Sequence, residues 1–110
     1  MKRYLRKPLK KKDSLFTTDL VIAEVVWVLE SFYKLGKNYT RGKLEKILNT
    51  PNLTCPNKDL ILLALTLYAK ETIDFIDAYN ALILKKVGIS EIYSYDKDYN
   101  SVIWLTRLEP

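Results

Sequence analysis

Three groups of carboxylates could do chemistry in this chain of 110 residues. Glu24 lies inside an apolar stretch, with Leu20, Val21, Trp27 and Val28 three and four positions away. Burying a carboxylate on such a helix face without a partner costs several kcal/mol. Glu24 therefore needs a proton, a counter-charge or a metal, unless the helix is less buried than its composition implies. Asp74 and Asp77 bracket the start of a later helix, spaced as an N-cap and an acidic N3 residue. That spacing is close to a capping box, and the helix dipole favours both acids, which is a sufficient structural account by itself. Asp96 and Asp98 follow a predicted strand, where open α/β sheets bind ligands, and they also fit an ordinary Asp-rich turn. The conjunction carries more than its parts. Mg²⁺ and Mn²⁺ take oxygen ligands, and carboxylates from separate elements can hold such an ion against a phosphodiester.

The composition removes competing chemistries. The chain has no histidine, which excludes Ser-His triads, an imidazole general base and most catalytic zinc sites. A single cysteine, Cys55, forbids an intrachain disulfide and suits a reducing cytoplasm. With no histidine to activate it, Cys55 reads as a packing or loop residue. Apolar residues at 48% and charged residues at 28% fit a folded, soluble protein of one domain. The longest apolar run, Leu20 to Val28, is interrupted by Glu24 and is too short to span a bilayer. No secretory signal is recognisable. The net charge of +5 sits at one end: residues 1–12 hold seven Lys or Arg and no acid, leaving 11 basic against 13 acidic residues in 13–110. Residues 1–13 thus read as a basic arm and 14–110 as the domain. Lys2, Arg3, Arg6, Lys7, Lys10, Lys11 and Lys12 could hold a phosphate backbone or could simply be a solvated terminus.

The elements that must position the acids follow from pattern and punctuation. Residues 14–18 read as a short strand, and Thr18 or Asp19 can cap a helix running to about Tyr33. That helix is apolar on nearly every face, so burial is expected. Thr40 is expected to cap a helix over 41–49. A strand is expected near Leu53-Thr54, and Asn57 to cap a helix over 58–69. Another helix is expected from about 76 to 87, with Gly88 at its C′ position. Strands are expected at Ile92 to Tyr95 and Val102 to Leu105. Helix and strand alternate in the C-terminal half, which implies an α/β layer architecture with parallel strands.

At these residues the chain resembles a known family. Thr18 to Leu29 is similar to the PIN-domain helix that carries an acid. Asp74-Phe-Ile-Asp77-Ala78 resembles the family's "DF-x-DA" segment, and Ser94-Tyr-Asp96-Lys-Asp98-Tyr99 its "T-F-D-x-D-F" strand end. Leu108-Glu-Pro110 resembles the close of toxin ribonucleases of the VapC type. The resemblance implies a parallel sheet with helices on both faces and Mg²⁺- or Mn²⁺-dependent cleavage of RNA. It implies Glu24, Asp77 and Asp96 as catalytic, metal-binding acids, with Asp98 as a further ligand and Asp74 as an auxiliary. It also implies an antitoxin partner and dimerisation.

The chain departs from that family at its start. Members open with a hydrophobic strand ending in aspartate; here no such strand precedes Ser14, and neither Asp13 nor Asp19 follows one. The expectation is an N-terminally truncated PIN-like sheet that lacks one ligand. It exposes two pairing edges, which favour a homodimer or strand-exchanged oligomer. A catalytically inactive PIN-like module binding protein or nucleic acid is the alternative. A domain from another doubly wound family is a third reading, but nothing here supplies the acidic pocket at the first strands.

Overall fold

Four helices and two pairs of short parallel strands make up the part of the molecule that the computed structural model describes, residues 14–110. The basic segment 1–13, with its seven candidate phosphate-binding side chains, lies outside the described residues. In chain order the elements are β1 (Leu15–Phe16), α1 (Asp19–Ser31), α2 (Lys37–Leu48), β2 (Leu53–Thr54), α3 (Lys58–Lys70), α4 (Phe75–Lys86) and β3 (Glu91–Tyr93). A 3₁₀ turn (Lys97–Ser101) and β4 (Thr106–Leu108) complete it. The fold is mixed α/β with parallel strands, as the alternation of patterns implied.

The strands form two sheets. β1 pairs with β2 in the register Leu15–Leu53 and Phe16–Thr54, and β3 pairs with β4 from Glu91–Thr106 to Tyr93–Leu108. In a strand, successive backbone groups point to opposite edges. The amides of Leu15 and Thr17 donate to Asn52 and Thr54 at 3.0 Å, which turns the backbone of Phe16 to the other edge. Among the described residues no strand meets that edge. The same holds for Glu91 and Tyr93, because Ser90 accepts from Thr106 and Ser94 donates to Leu108. Two-stranded pairs are marginal alone, so the helices must carry the stability.

They do so through α3 and α4. Ile61, Ala64, Leu65 and Tyr68 recur at helical spacing on α3 and share one buried core with Phe75, Ala78 and Ala81 of α4 and Leu44 and Leu48 of α2. Each fully buried Leu or Ile contributes about 1.5–3 kcal/mol before entropy is counted. Cys55 joins this core, and its burial pushes the thiol's pKa up, as suits an unreactive packing residue. Gly88 ends α4 with φ +80, where Ile89 donates to Leu84 and Gly88 to Lys85, the paired bonds of a Schellman motif.

Four local expectations change. α1 ends at Ser31 and is buried only along Ile22 and Val26; Leu20 and Trp27 are 79% and 57% exposed. Apolar composition alone did not bury that face, because no described element packs over it. α2 begins at Lys37, after Gly36, and Thr40 is a fully buried helical residue rather than a cap. Asn57 precedes α3 in a left-handed conformation with no side-chain cap bond; its amide donates to the Tyr79 hydroxyl at 3.4 Å instead. Val102 to Leu105 form a turn that buries Val102 and Leu105, and the last strand follows at Thr106.

Candidate active site

The first turn of α4 and the segment after β3 bring four aspartates together. Asp74 is the N-cap of α4, yet its side chain makes no capping bond. The capping-box account of Asp74 and Asp77 therefore fails. The amide of Asp74 donates instead to Asp98 Oδ2 at 3.4 Å, so an acid from the 3₁₀ turn sits at the positive end of α4. Asp96 caps the 3₁₀ turn by accepting from the Asp98 amide at 2.9 Å, and its own amide donates to Ser94 Oγ at 3.0 Å. These local bonds aim the strand end at the helix start. Carboxylate oxygens of Asp74, Asp77 and Asp98 lie within 4.8 Å of one another.

Crowding sets the electrostatics. Asp77 is only 8% exposed. Burial, followed by a proton shared with Asp96, pushes its pKa up to about 7, while the Tyr99 hydroxyl works against the rise. The same shared bond, helped by the Asp98 amide, holds Asp96 below the usual carboxylate range. Burial raises Asp74 as well, with the charges of Asp98 and Glu30 adding to it. Burial first, and the crowding of like charges after it, favour the protonated form of Asp77. A divalent cation would relieve that repulsion, and the donors are all hard oxygens, so the residues present fit Mg²⁺ or Mn²⁺.

The acids open onto a cleft of about 430 Å³. Its far wall is α1, through Ala23, Val26, Trp27 and Glu30; Asp74, Asp77 and Asp96 line the near wall. Tyr79 of α4 fixes the two helices by donating to Asp19 Oδ2 at 3.0 Å, and Thr18 caps α1 by accepting from Val21. Glu24 stands elsewhere. It is exposed on α1 beside Leu20, outside the cleft lining. Sequence reasoning missed Glu30 and Tyr99. Glu30 shares the helical spacing of Ala23, Val26 and Trp27, a signal overlooked because Glu24 stood out more sharply among apolar neighbours. Tyr99 reads as a turn residue, and only its burial beside Asp77 reveals it.

Among the described residues no helix is long and apolar enough to cross a membrane. Residues 2–105 match the PIN domain family. The chain is 31% identical over 93 residues to a VapC ribonuclease of Aquifex aeolicus, an alignment covering 84% of this chain and 69% of that relative. No solved structure is a significant match.

Proposed function

The chain belongs to the PIN-domain family, and on that premise we propose that it is a toxin-type endoribonuclease that hydrolyses RNA phosphodiesters with a divalent cation. The observation that carries this reading is Asp77: a carboxylate 8% exposed, pressed against Asp96 and opening on a cleft. Asp77, Asp96 and Glu24 are proposed as the catalytic metal ligands, Asp98 as a further ligand and Asp74 as an auxiliary. A bound Mg²⁺ or Mn²⁺ would supply charge for the phosphate and a more acidic water. The protein's part is orientation. Asp98 accepts from the amide of Asp74, and Asp96 from the amide of Asp98, so each carboxylate is tied to a backbone group. A cation held there would compete with the proton that burial favours on Asp77, so its affinity would rise with pH.

The substrate is proposed to be RNA, with the basic residues 2–12 adding phosphate contacts, and the relative's VapC character supports an antitoxin as protein partner. A cytoplasmic location and a homodimer or strand-exchanged oligomer belong to the same reading. The edges of Phe16, Glu91 and Tyr93, unpaired among the described residues, support the last point. A second reading, a PIN-like module that binds without cutting, is favoured by the exposed position of Glu24 outside the cleft.

The test is a Mn²⁺ titration of the purified chain, followed by RNA cleavage with and without EDTA. Saturable binding and EDTA-sensitive cleavage are expected, both lost in Asp77→Asn. Binding of RNA without any cleavage at saturating Mn²⁺ would replace this reading with the second.

A further inference from the structure

The far wall of the cleft holds a carboxylate that the reading above leaves unused. Glu30 closes the row Ala23, Val26, Trp27 and Glu30 on α1 and faces Asp74, Asp77 and Asp96. It is also held. The hydroxyl of Tyr68, a fully buried side chain of α3, donates to Glu30 Oε2. Tyr68 in turn is fixed from two sides. Its ring stands edge-on to Phe75 at 6.4 Å between centroids, and Lys37 Nζ lies 4.6 Å above it. Lys37 also donates to the carbonyls of Tyr68, Glu71 and Ile73, at 3.1, 3.1 and 2.7 Å. The end of α3, the lead-in to Asp74 and the orientation of Glu30 are thus tied by one lysine and one tyrosine.

A carboxylate turned into solvent for solubility alone would need no such anchor. Here one oxygen is committed to Tyr68, which leaves the other for a ligand in the cleft. Glu30 does not belong to the trio whose oxygens lie within 4.8 Å of one another, and from the far wall of the cleft it would reach a cation held by that trio through water. Mg²⁺ keeps several waters when it binds, and groups that orient those waters tune affinity.

We infer that Glu30 is a further binding residue of this site, accepting a hydrogen bond from the hydration shell of the divalent cation, and that Tyr68 is its positioning residue. This inference rests on the aspartate site proposed above. It assigns α1 a working carboxylate on the face that lines the cleft, distinct from Glu24 on the exposed face.

The experiment is Mn²⁺ binding to the full chain, read by loss of the free-ion electron paramagnetic resonance signal, together with thermal melts in EDTA. The wild type is compared with Glu30→Gln, Tyr68→Phe, their double variant and Asp77→Asn. Glutamine still accepts from Tyr68, so Glu30→Gln should melt like the wild type yet bind Mn²⁺ about 10-fold more weakly. Tyr68→Phe should weaken binding less, and the double variant no more than Glu30→Gln alone, because both act through one contact. Wild-type affinity in Glu30→Gln, with binding lost in Asp77→Asn, would overturn the inference and leave the aspartate site standing. Wild-type affinity in Asp77→Asn would overturn the aspartate site and this inference with it. A lowered melt in EDTA with unchanged affinity would make Glu30 a structural partner of Tyr68 only, and would also overturn it.

Discussion

Glu24 and Asp77 are both acids set among apolar neighbours within helices, and the fold treats them oppositely. Asp77 lies on the buried face of a helix, with α3 behind it and the 3₁₀ turn across its start. It is 8% exposed and its pKa is pushed up to about 7. Glu24 lies on a helix with one buried stripe, and it faces out beside Leu20. The contrast teaches that a carboxylate's chemistry is set by what packs against its helix, not by the hydropathy of its sequence neighbours. It also divides the molecule. The α3–α4 half is a closed core, whereas α1 and the strand edges of β1 and β3 are open among the described residues.

The sharpest way to break the comparison is to neutralise the buried acid. Asp77→Asn should lower EDTA-sensitive cleavage by on the order of 100-fold or more, measured as a rate at saturating Mn²⁺. The same substitution should stabilise the metal-free protein. Asp77 titrates near 7 in the fold against an ordinary 3.8. Between those values the folded chain therefore holds a proton that the unfolded chain has lost. The stability from this group is full below about pH 4 and is lost as pH rises through 7. Denaturant melts should show Asp77→Asn more stable than the wild type at pH 8 by about 1–3 kcal/mol, with the advantage gone at pH 4. A wild type whose stability in EDTA does not fall between pH 4 and 8 would remove the buried-acid account.

Glu24→Gln probes the exposed side. Metal-dependent cleavage should be abolished if Glu24 is a ligand, while stability moves by no more than about 0.5 kcal/mol, as at other exposed positions. Unchanged cleavage would take Glu24 out of the site and leave Glu30 as the acid that α1 contributes to it.

Lys37→Met sharpens the contrast from the structural side. It keeps the stem of the side chain and removes three charge-assisted bonds to the carbonyls around the end of α3. A loss of about 1–3 kcal/mol is expected in equilibrium unfolding. No loss would mean that water replaces the ammonium without cost. The smallest effect is expected from deleting residues 2–12. RNA binding should weaken several-fold in low salt and hardly at all in high salt, since counterion release scales with the phosphates neutralised. Equal weakening at both salts would assign that segment a structural part.

Much of this protein could be read from its residues alone. Thr18 as a cap, Gly88 as the stop of α4 and the alternation of helix and strand are local matters of hydrogen bonding and backbone freedom, so the chain determined them by itself. The residues alone also leave oxygen donors as the main candidates for a metal, because the chain has no histidine and one cysteine. Tertiary structure decided what depends on distant neighbours. Helical periodicity reports that α1 has apolar faces, but only packing says which is covered, and so Glu24 lies outside the cleft while Glu30 lines it. The spacing of Asp74 and Asp77 suits a cap equally well. Only the arrival of Asp98 at the Asp74 amide, from 24 residues along the chain, turns it into a cluster. Burial, and with it charge, is a property of pairs of elements, and no single stretch of sequence carries it.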